Sequence, residues 1–189
     1  MKNLFFKCKF VVVCIFVLAL TSSVTFGVTA AAQGGLTKIA DNVYSYADVK
    51  HGSPANSFGA NAGIIVGKDG IIVIDTLISA KEAQRFINDI RKVTDKPVRY
   101  VINTHYHLYH SFGNAEFEKM GAIIISHESD RINLQNNGEA ALKNAGAYGL
   151  TESDMEGTKL AYPSLTFPYR MYITLDSQEV QLIYPGPSH

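Results

Sequence analysis

The stretch that most constrains this chain lies at residues 62–74. There two nearly continuous apolar runs, 62–66 and Ile71–Ile74, flank Gly67-Lys68-Asp69-Gly70. Apolar runs that do not alternate with polar residues belong to strands covered on both faces, and a Gly-bounded four-residue joint predicts a hairpin. Immediately afterwards the pattern changes. Ala83, Phe86, Ile87 and Ile90 recur at helical spacing behind Ser79, a good N-cap, and Pro97 stops the run. Residues 98–103 then read as another strand. A buried hairpin feeding a helix and then a strand is a layered α/β pattern, and it excludes an all-helical bundle or a β-only sandwich.

The rest of the chain fits that frame. Residues 37–40 and Val43–Ala47 predict two short strands around Asp41-Asn42, and residues 50–59, rich in Gly, Ser, Pro and Asn, predict a loop. Residues 115–120 suggest a short helix and 122–126 a buried strand. Residues 129–145 suggest a helix broken near Asn136-Asn137-Gly138. Residues 171–175 and 179–184 are the last strand candidates, with a turn at Asp176-Ser177.

The N-terminus obeys different rules. Residues 1–32 carry three lysines and no acid, an unbroken apolar run over 10–20, a Ser/Thr-rich stretch and Ala30-Ala31-Ala32. Basic head, apolar middle and small-residue exit predict a signal peptide over residues 1–32, with an uncleaved anchor as the competing reading. The expected product is exported, periplasmic or secreted, and free of the membrane after cleavage. Its domain would span 33–189 and hold 14 basic against 17 acidic residues, a balance that argues against a nucleic-acid partner. Both cysteines, Cys8 and Cys14, fall in the leader. The domain therefore has no disulfide, no thiolate ligand and no cysteine nucleophile.

Three of the six histidines lie within six residues, in Asn103-Thr104-His105-Tyr106-His107-Leu108-Tyr109-His110. At a strand exit His105 and His107 point to one side, and His110 can rejoin them if the chain turns. Converging neutral imidazoles suit Zn²⁺ and also accept Fe, Cu or Ni. Without cysteine, the site is of the open, catalytic type.

Strand, Asp75-Thr76, helix, strand and then Asn103-Thr104-His105-x-His107-x-x-His110 resembles the metallo-β-lactamase-fold superfamily of metallohydrolases. The family's His-x-His-x-Asp-His signature and its later Gly-x-x-His element are both echoed, the latter by Gly186-Pro187-Ser188-His189. The resemblance implies a mixed-sheet αββα sandwich with flanking helices, present here as an incomplete, N-terminal portion. It implies that His105, His107 and His189 form a first metal site, that His110 belongs to a second, and that Asp75 supports the histidine loop from behind. One zinc ion is expected, with iron the alternative. The implied reaction is metal-assisted hydrolysis of a small-molecule ester, thioester, lactone or amide. One signature position departs: Tyr109 stands where the family has its aspartate, which implies an impaired second site. A non-catalytic metal-binding or partner-binding fragment is the rival expectation. Among lesser candidates, His127 reads as a surface residue at a helix start and His51 as a loop residue. Tyr162, Phe167, Tyr169 and Tyr172 could line a pocket or simply pack.

Overall fold

Alternating apolar segments build a seven-stranded sheet in the computed structural model, which describes residues 35–47, 60–175 and 178–187. The strands run in spatial order β1 (Leu36–Ala40), β2 (Val43–Ala47), β3 (Asn61–Val66), β4 (Ile71–Ile74), β5 (Val98–Ile102), β6 (Ile123–His127) and β7 (Leu165–Phe167). β1 to β4 form an antiparallel meander, and β4 to β7 are parallel. Parallel neighbours need crossovers. Helix α1 (Ala80–Val93) makes the first, and α2 (Leu108–Ser111) with α3 (Asn114–Glu118) make the second. Helix α4 (Glu128–Lys143), a 3₁₀ turn at Ala145–Tyr148 and α5 (Glu152–Met155) make the third. A hairpin of β8 (Arg170–Leu175) and β9 (Gln178–Ile183) forms a separate two-stranded sheet. This is the α/β architecture expected from the sequence.

Helix α1 forms where its periodicity places it. Ser79 accepts a hydrogen bond from the Glu82 N–H, Glu82 sits in the first turn, and Arg91 and Lys92 sit in the last, all favourable to the helix dipole. Its buried Ala83, Phe86, Ile87 and Ile90 pack with Tyr46, Ile64, Val73 and Phe117 into the first core. Phe86, Ile87 and Ile90 each contribute about 1.5–3 kcal/mol on burial. A second core lies between the sheets, where Ile72, Ile102 and Ile125 meet Phe167, Ile173, Leu175 and Leu182. The hairpin of β8 and β9 thus covers the large sheet and closes one wall of the cleft described below.

Two expectations need correction. The helix over 129–145 is not broken at Asn136-Asn137-Gly138; α4 runs through it. At Gly138 the helix lies against leucine side chains: a Cβ would meet Leu160 Cδ1 at 2.9 Å and Leu134 Cδ1 at 3.2 Å. Both contacts are to the ends of flexible side chains, so the glycine lets Leu160 and Leu134 pack close to the helix at its usual cost of about 1 kcal/mol. Nor is His127 a plain surface residue. It is half-buried and caps α4, with its Nδ1 accepting the Ser129 N–H. Its Nε2 lies 2.8 Å from the Pro168 carbonyl, and its ring stacks on Tyr184 at 3.7 Å. Since Nδ1 accepts, Nε2 carries the proton and donates. The ring ties α4 to the segments on either side of β8 and β9. The leader, His51, the Asp176-Ser177 turn and His189 lie outside the described residues. No helix among the described residues is long and apolar enough to cross a membrane.

Candidate metal centre

The histidines sit where β5 ends, at the carboxyl edge of the parallel strands, the usual place for ligand sites in open α/β sheets. His105 lies in the exit loop, His107 caps α2 and His110 lies within α2. The His105 ring centroid is 4.9 Å from that of His107 and 4.0 Å from that of His110. The short helix α2 is the turn that brings His110 back.

Asp75 organises this loop from the end of β4. It is 3% exposed and takes a left-handed φ of 57°, unusual for a non-glycine residue. One oxygen accepts the Thr104 N–H at 2.8 Å. The other accepts the Thr104 hydroxyl and lies against His110 Nδ1, both at 2.7 Å. A hydroxyl has a single proton, and Thr104 donates it to Asp75. The Thr104 oxygen, 3.1 Å from His105 Nδ1, therefore accepts from that nitrogen. Both His105 and His110 are thus set as Nδ1–H tautomers, with the lone pair on Nε2. Carboxylate-backed imidazoles of this kind are the usual partners of a metal. Thr104 had no distinguishing signal in the sequence, because its role depends on Asp75 arriving from another strand.

Behind the loop a buried polar knot holds α3 to β4 and β5. Asn114 and Asn103 exchange amide hydrogen bonds at 2.8 and 3.0 Å, and Asn114 also donates to the Ala161 carbonyl at 3.1 Å. The Thr76 hydroxyl lies 2.9 Å from Asn114 Oδ1 and 3.2 Å from the His110 carbonyl. Replacing Thr76 by Val keeps the shape and removes this donor, so the knot loses about 1–2 kcal/mol. Chemical denaturation should show that loss, and an unchanged midpoint would mean the hydroxyl is dispensable.

Tyr109 alters the loop's chemistry. Its hydroxyl lies 3.2 Å from His107 Nδ1, and its ring stands 4.5 Å from that of His110. A phenol hydroxyl, which carries its own proton, is a poor stand-in for an anionic carboxylate ligand. Among the described residues, no group of three His, Cys, Asp or Glu side chains is arranged to hold a metal ion. The donor chemistry fits a metal, with two imidazoles tautomerised for it; the donor count within the described residues falls short.

The cleft beside His105 has a volume of about 510 Å³. His105, Asn103 and Thr104 line one end, and Ile102, Phe167, Val180, Leu182 and Tyr184 give it apolar walls. Of the four aromatic residues expected from the sequence as possible pocket lining, only Phe167 faces the cleft. Tyr162 packs in a third core with Leu134 and Leu150, while Tyr169 and Tyr172 are exposed. Asp130, in the first turn of α4, also lines the cleft and was not singled out by sequence. It is 6% exposed, and neither carboxylate oxygen has a hydrogen-bond partner among the described residues. The nearby Ser126 hydroxyl donates instead to the His127 carbonyl. Burial pushes the Asp130 carboxyl up to about 7; Ser126 pulls the other way, Asp75 adds repulsion and His110 partly offsets it.

The family model of the metallo-beta-lactamase superfamily matches residues 55–183. Over 126 residues the chain is 28% identical to the 2,4-dinitroanisole O-demethylase subunit alpha of Nocardioides sp. (strain JS1661), covering 66% of this chain and 33% of that protein. The mono-zinc form of the metallo-beta-lactamase FIM-1 from Pseudomonas aeruginosa shares the fold at a TM-score of 0.52 and 17% identity. That match covers 72% of this chain and 51% of the enzyme. A metallo-beta-lactamase from Pontibacter korlensis matches at a TM-score of 0.55 and 19% identity, over 82% and 61% of the two chains. This chain spans a third of the length of that curated relative and about half to three-fifths of those structures. With the mixed sheet, the histidines at its carboxyl edge and a family match over most of its length, the chain belongs to the metallo-beta-lactamase superfamily.

Proposed function

We propose that this chain is an exported, zinc-dependent hydrolase of the superfamily, with an impaired second metal position. The observation that carries the reading is the Asp75 carboxylate, which sets both His105, through Thr104, and His110 as Nδ1–H tautomers with the lone pair on Nε2. Membership of the superfamily points to hydrolase chemistry and to a metal-binding fold. His105 and His107 would hold one zinc ion, with His189 as the expected third donor; His110 would be what remains of a second position. The metal, when bound, supplies Lewis acidity and activates water.

The chain's own residues do the rest. Asp75 and Thr104 keep the imidazoles in one tautomer. The apolar walls of the cleft would take up the body of a small molecule. The bond cleaved would be that of an ester, thioester, lactone or amide carbonyl. The contact of Tyr109 with His107 Nδ1 favours a second reading, in which the histidine loop still binds metal or a partner but no longer catalyses.

Elemental analysis of the purified protein tests the first reading, with about one zinc per chain expected. Loss of that zinc on His105→Ala or His107→Ala supports the site, and folded protein without metal defeats it. Tyr109→Asp should then raise turnover of chromogenic lactam, thioester and lactone substrates by at least about tenfold. Zinc without turnover in either protein would leave the non-catalytic reading.

A further inference from the structure

Residues 180–187 form one wall of the cleft beside His105. They belong to β9 and the segment after it, and the β8–β9 hairpin pairs with no strand of the large sheet. Apolar contact holds the hairpin in place: Ile173, Leu175 and Leu182 pack with Ile72, Ile102 and Ile125. Such contact is non-directional, so it keeps the hairpin on the sheet without fixing how close its rim stands.

The directed contact comes from His127, the last residue of β6. The base of the hairpin is closed by the Tyr184 N–H, which donates to the Tyr169 carbonyl at 2.9 Å. His127 grips that base on both sides. Its Nε2–H donates to the Pro168 carbonyl at 2.8 Å, and its ring lies on that of Tyr184 at 3.7 Å and 18°. Among the described residues, no other side-chain hydrogen bond joins residues 168–187 to the rest of the protein. The ring is itself fixed, because its Nδ1 accepts the Ser129 N–H at the start of α4 and the Phe167 ring stands across it at 5.8 Å and 83°.

We propose that His127 is a positioning residue for the cleft. By holding both sides of the hairpin base to the start of α4, it sets how far the wall of residues 180–187 stands from the sheet, and thereby the longest apolar body the cleft accepts. A hydrogen bond and an aromatic stack together shift an opening equilibrium on the order of tenfold. The inference deepens the hydrolase reading by naming what limits substrate size. It rests on the cleft being that enzyme's substrate site, but its test reads binding without turnover.

The probes are 4-alkylbenzyl alcohols from methyl to octyl, which carry no charge and no hydrolysable bond. Isothermal titration of the wild-type protein should show affinity rising about fourfold with each methylene until the chain fills the cleft, and then levelling. Two variants separate the clasp from the other duties of the ring. His127→Asn keeps a good N-cap for α4 but is too short to reach Pro168 or to stack on Tyr184. His127→Phe keeps the ring and the stack but cannot donate to Pro168. The levelling should come at least about two methylenes later in His127→Asn and at least about one later in His127→Phe. In both variants hydrogen exchange of the β8 and β9 amides should quicken at least about fivefold, while those of β3 and β4 keep their rates.

A later levelling in His127→Asn with His127→Phe like the wild type overturns the proposal, because the lost ring would then simply have left space. So do an unchanged levelling in both variants, and wild-type protein that binds no probe or whose affinity never levels. Hairpin amides that quicken only in step with those of β3 and β4 overturn it too, and this reading decides the case if only one variant folds. Absence of zinc or of turnover, with the shifted levelling intact, would instead defeat the hydrolase reading and leave the role of His127 standing.

Discussion

Between about pH 3 and pH 8 the wild-type protein should lose about 4 kcal/mol of folding stability that the Asp130→Asn protein does not lose. The cause is the carboxyl raised from 3.8 to about 7, chiefly by burial. In that window the unfolded chain has released the Asp130 proton while the folded protein still holds it. Stability therefore falls as pH rises, fully favourable below about 3.8 and spent above about 7. Each unit of difference is worth about 1.4 kcal/mol, which gives the magnitude. For a protein of this size, the change corresponds to a drop of about 10 °C in the melting temperature. Glu116 has the opposite sign. Burial alone would raise it, but Lys119 and Gln84 hold it below its usual value of 4.5, so its contribution disappears only in acid. The measured quantity is the difference between the two proteins across a pH series of thermal melts, which cancels every ionisable group they share. Parallel curves would show that Asp130 is solvated in solution.

Gly113→Ala should destabilise the fold by at least about 3 kcal/mol, the upper part of the range for forcing extra volume into packed structure. A Cβ at this position would lie 2.0 Å from the Thr76 carbonyl oxygen and 2.7 Å from Ala83 Cβ. The first obstacle is backbone and cannot swing away. The turn from β4 to α1 is itself fixed: Asp75 and Leu77 both take left-handed φ, the Thr76 N–H donates to the His110 carbonyl, and the Gly113 N–H donates to the Leu77 carbonyl. Moving it to admit a methyl group would displace Asp75 from Thr104 and His110. The variant should therefore lose metal affinity together with stability, seen as a lower denaturation midpoint and weaker zinc binding. A stable Gly113→Ala protein would show that the loop and the turn can part without cost.

Much of the fold could be read from periodicity because periodicity reports which face of an element is dry. The hairpin of β3 and β4, helix α1 and strand β5 all appear where the apolar spacing places them. Residues 136–138 misled because an Asn-Asn-Gly run is a turn signal in isolation, whereas Gly138 packs against Leu160, 22 positions further on, within a continuous helix. β7 went unread because three residues carry too little pattern; its pairing with β6 makes it a strand. Helix α2 was visible only as the turn that His110 would require.

The sequence by itself determined the chemistry available. Three imidazoles lie within six residues, no cysteine lies near them, a tyrosine occupies a signature position, and an aspartate ends a buried strand. Which of these groups meet was decided by the tertiary structure. Asp75 and His110 are 35 residues apart and come together because β4 and β5 are parallel neighbours that end level, Ile74 beside Ile102. The tautomers of His105 and His110 follow from that meeting. The partnerless burial of Asp130 follows from the packing of α4 and the hairpin of β8 and β9 around one cleft. Residue type sets what a side chain can donate, accept or hold, but burial and distance set which of those capacities it uses, and both are properties of the folded chain.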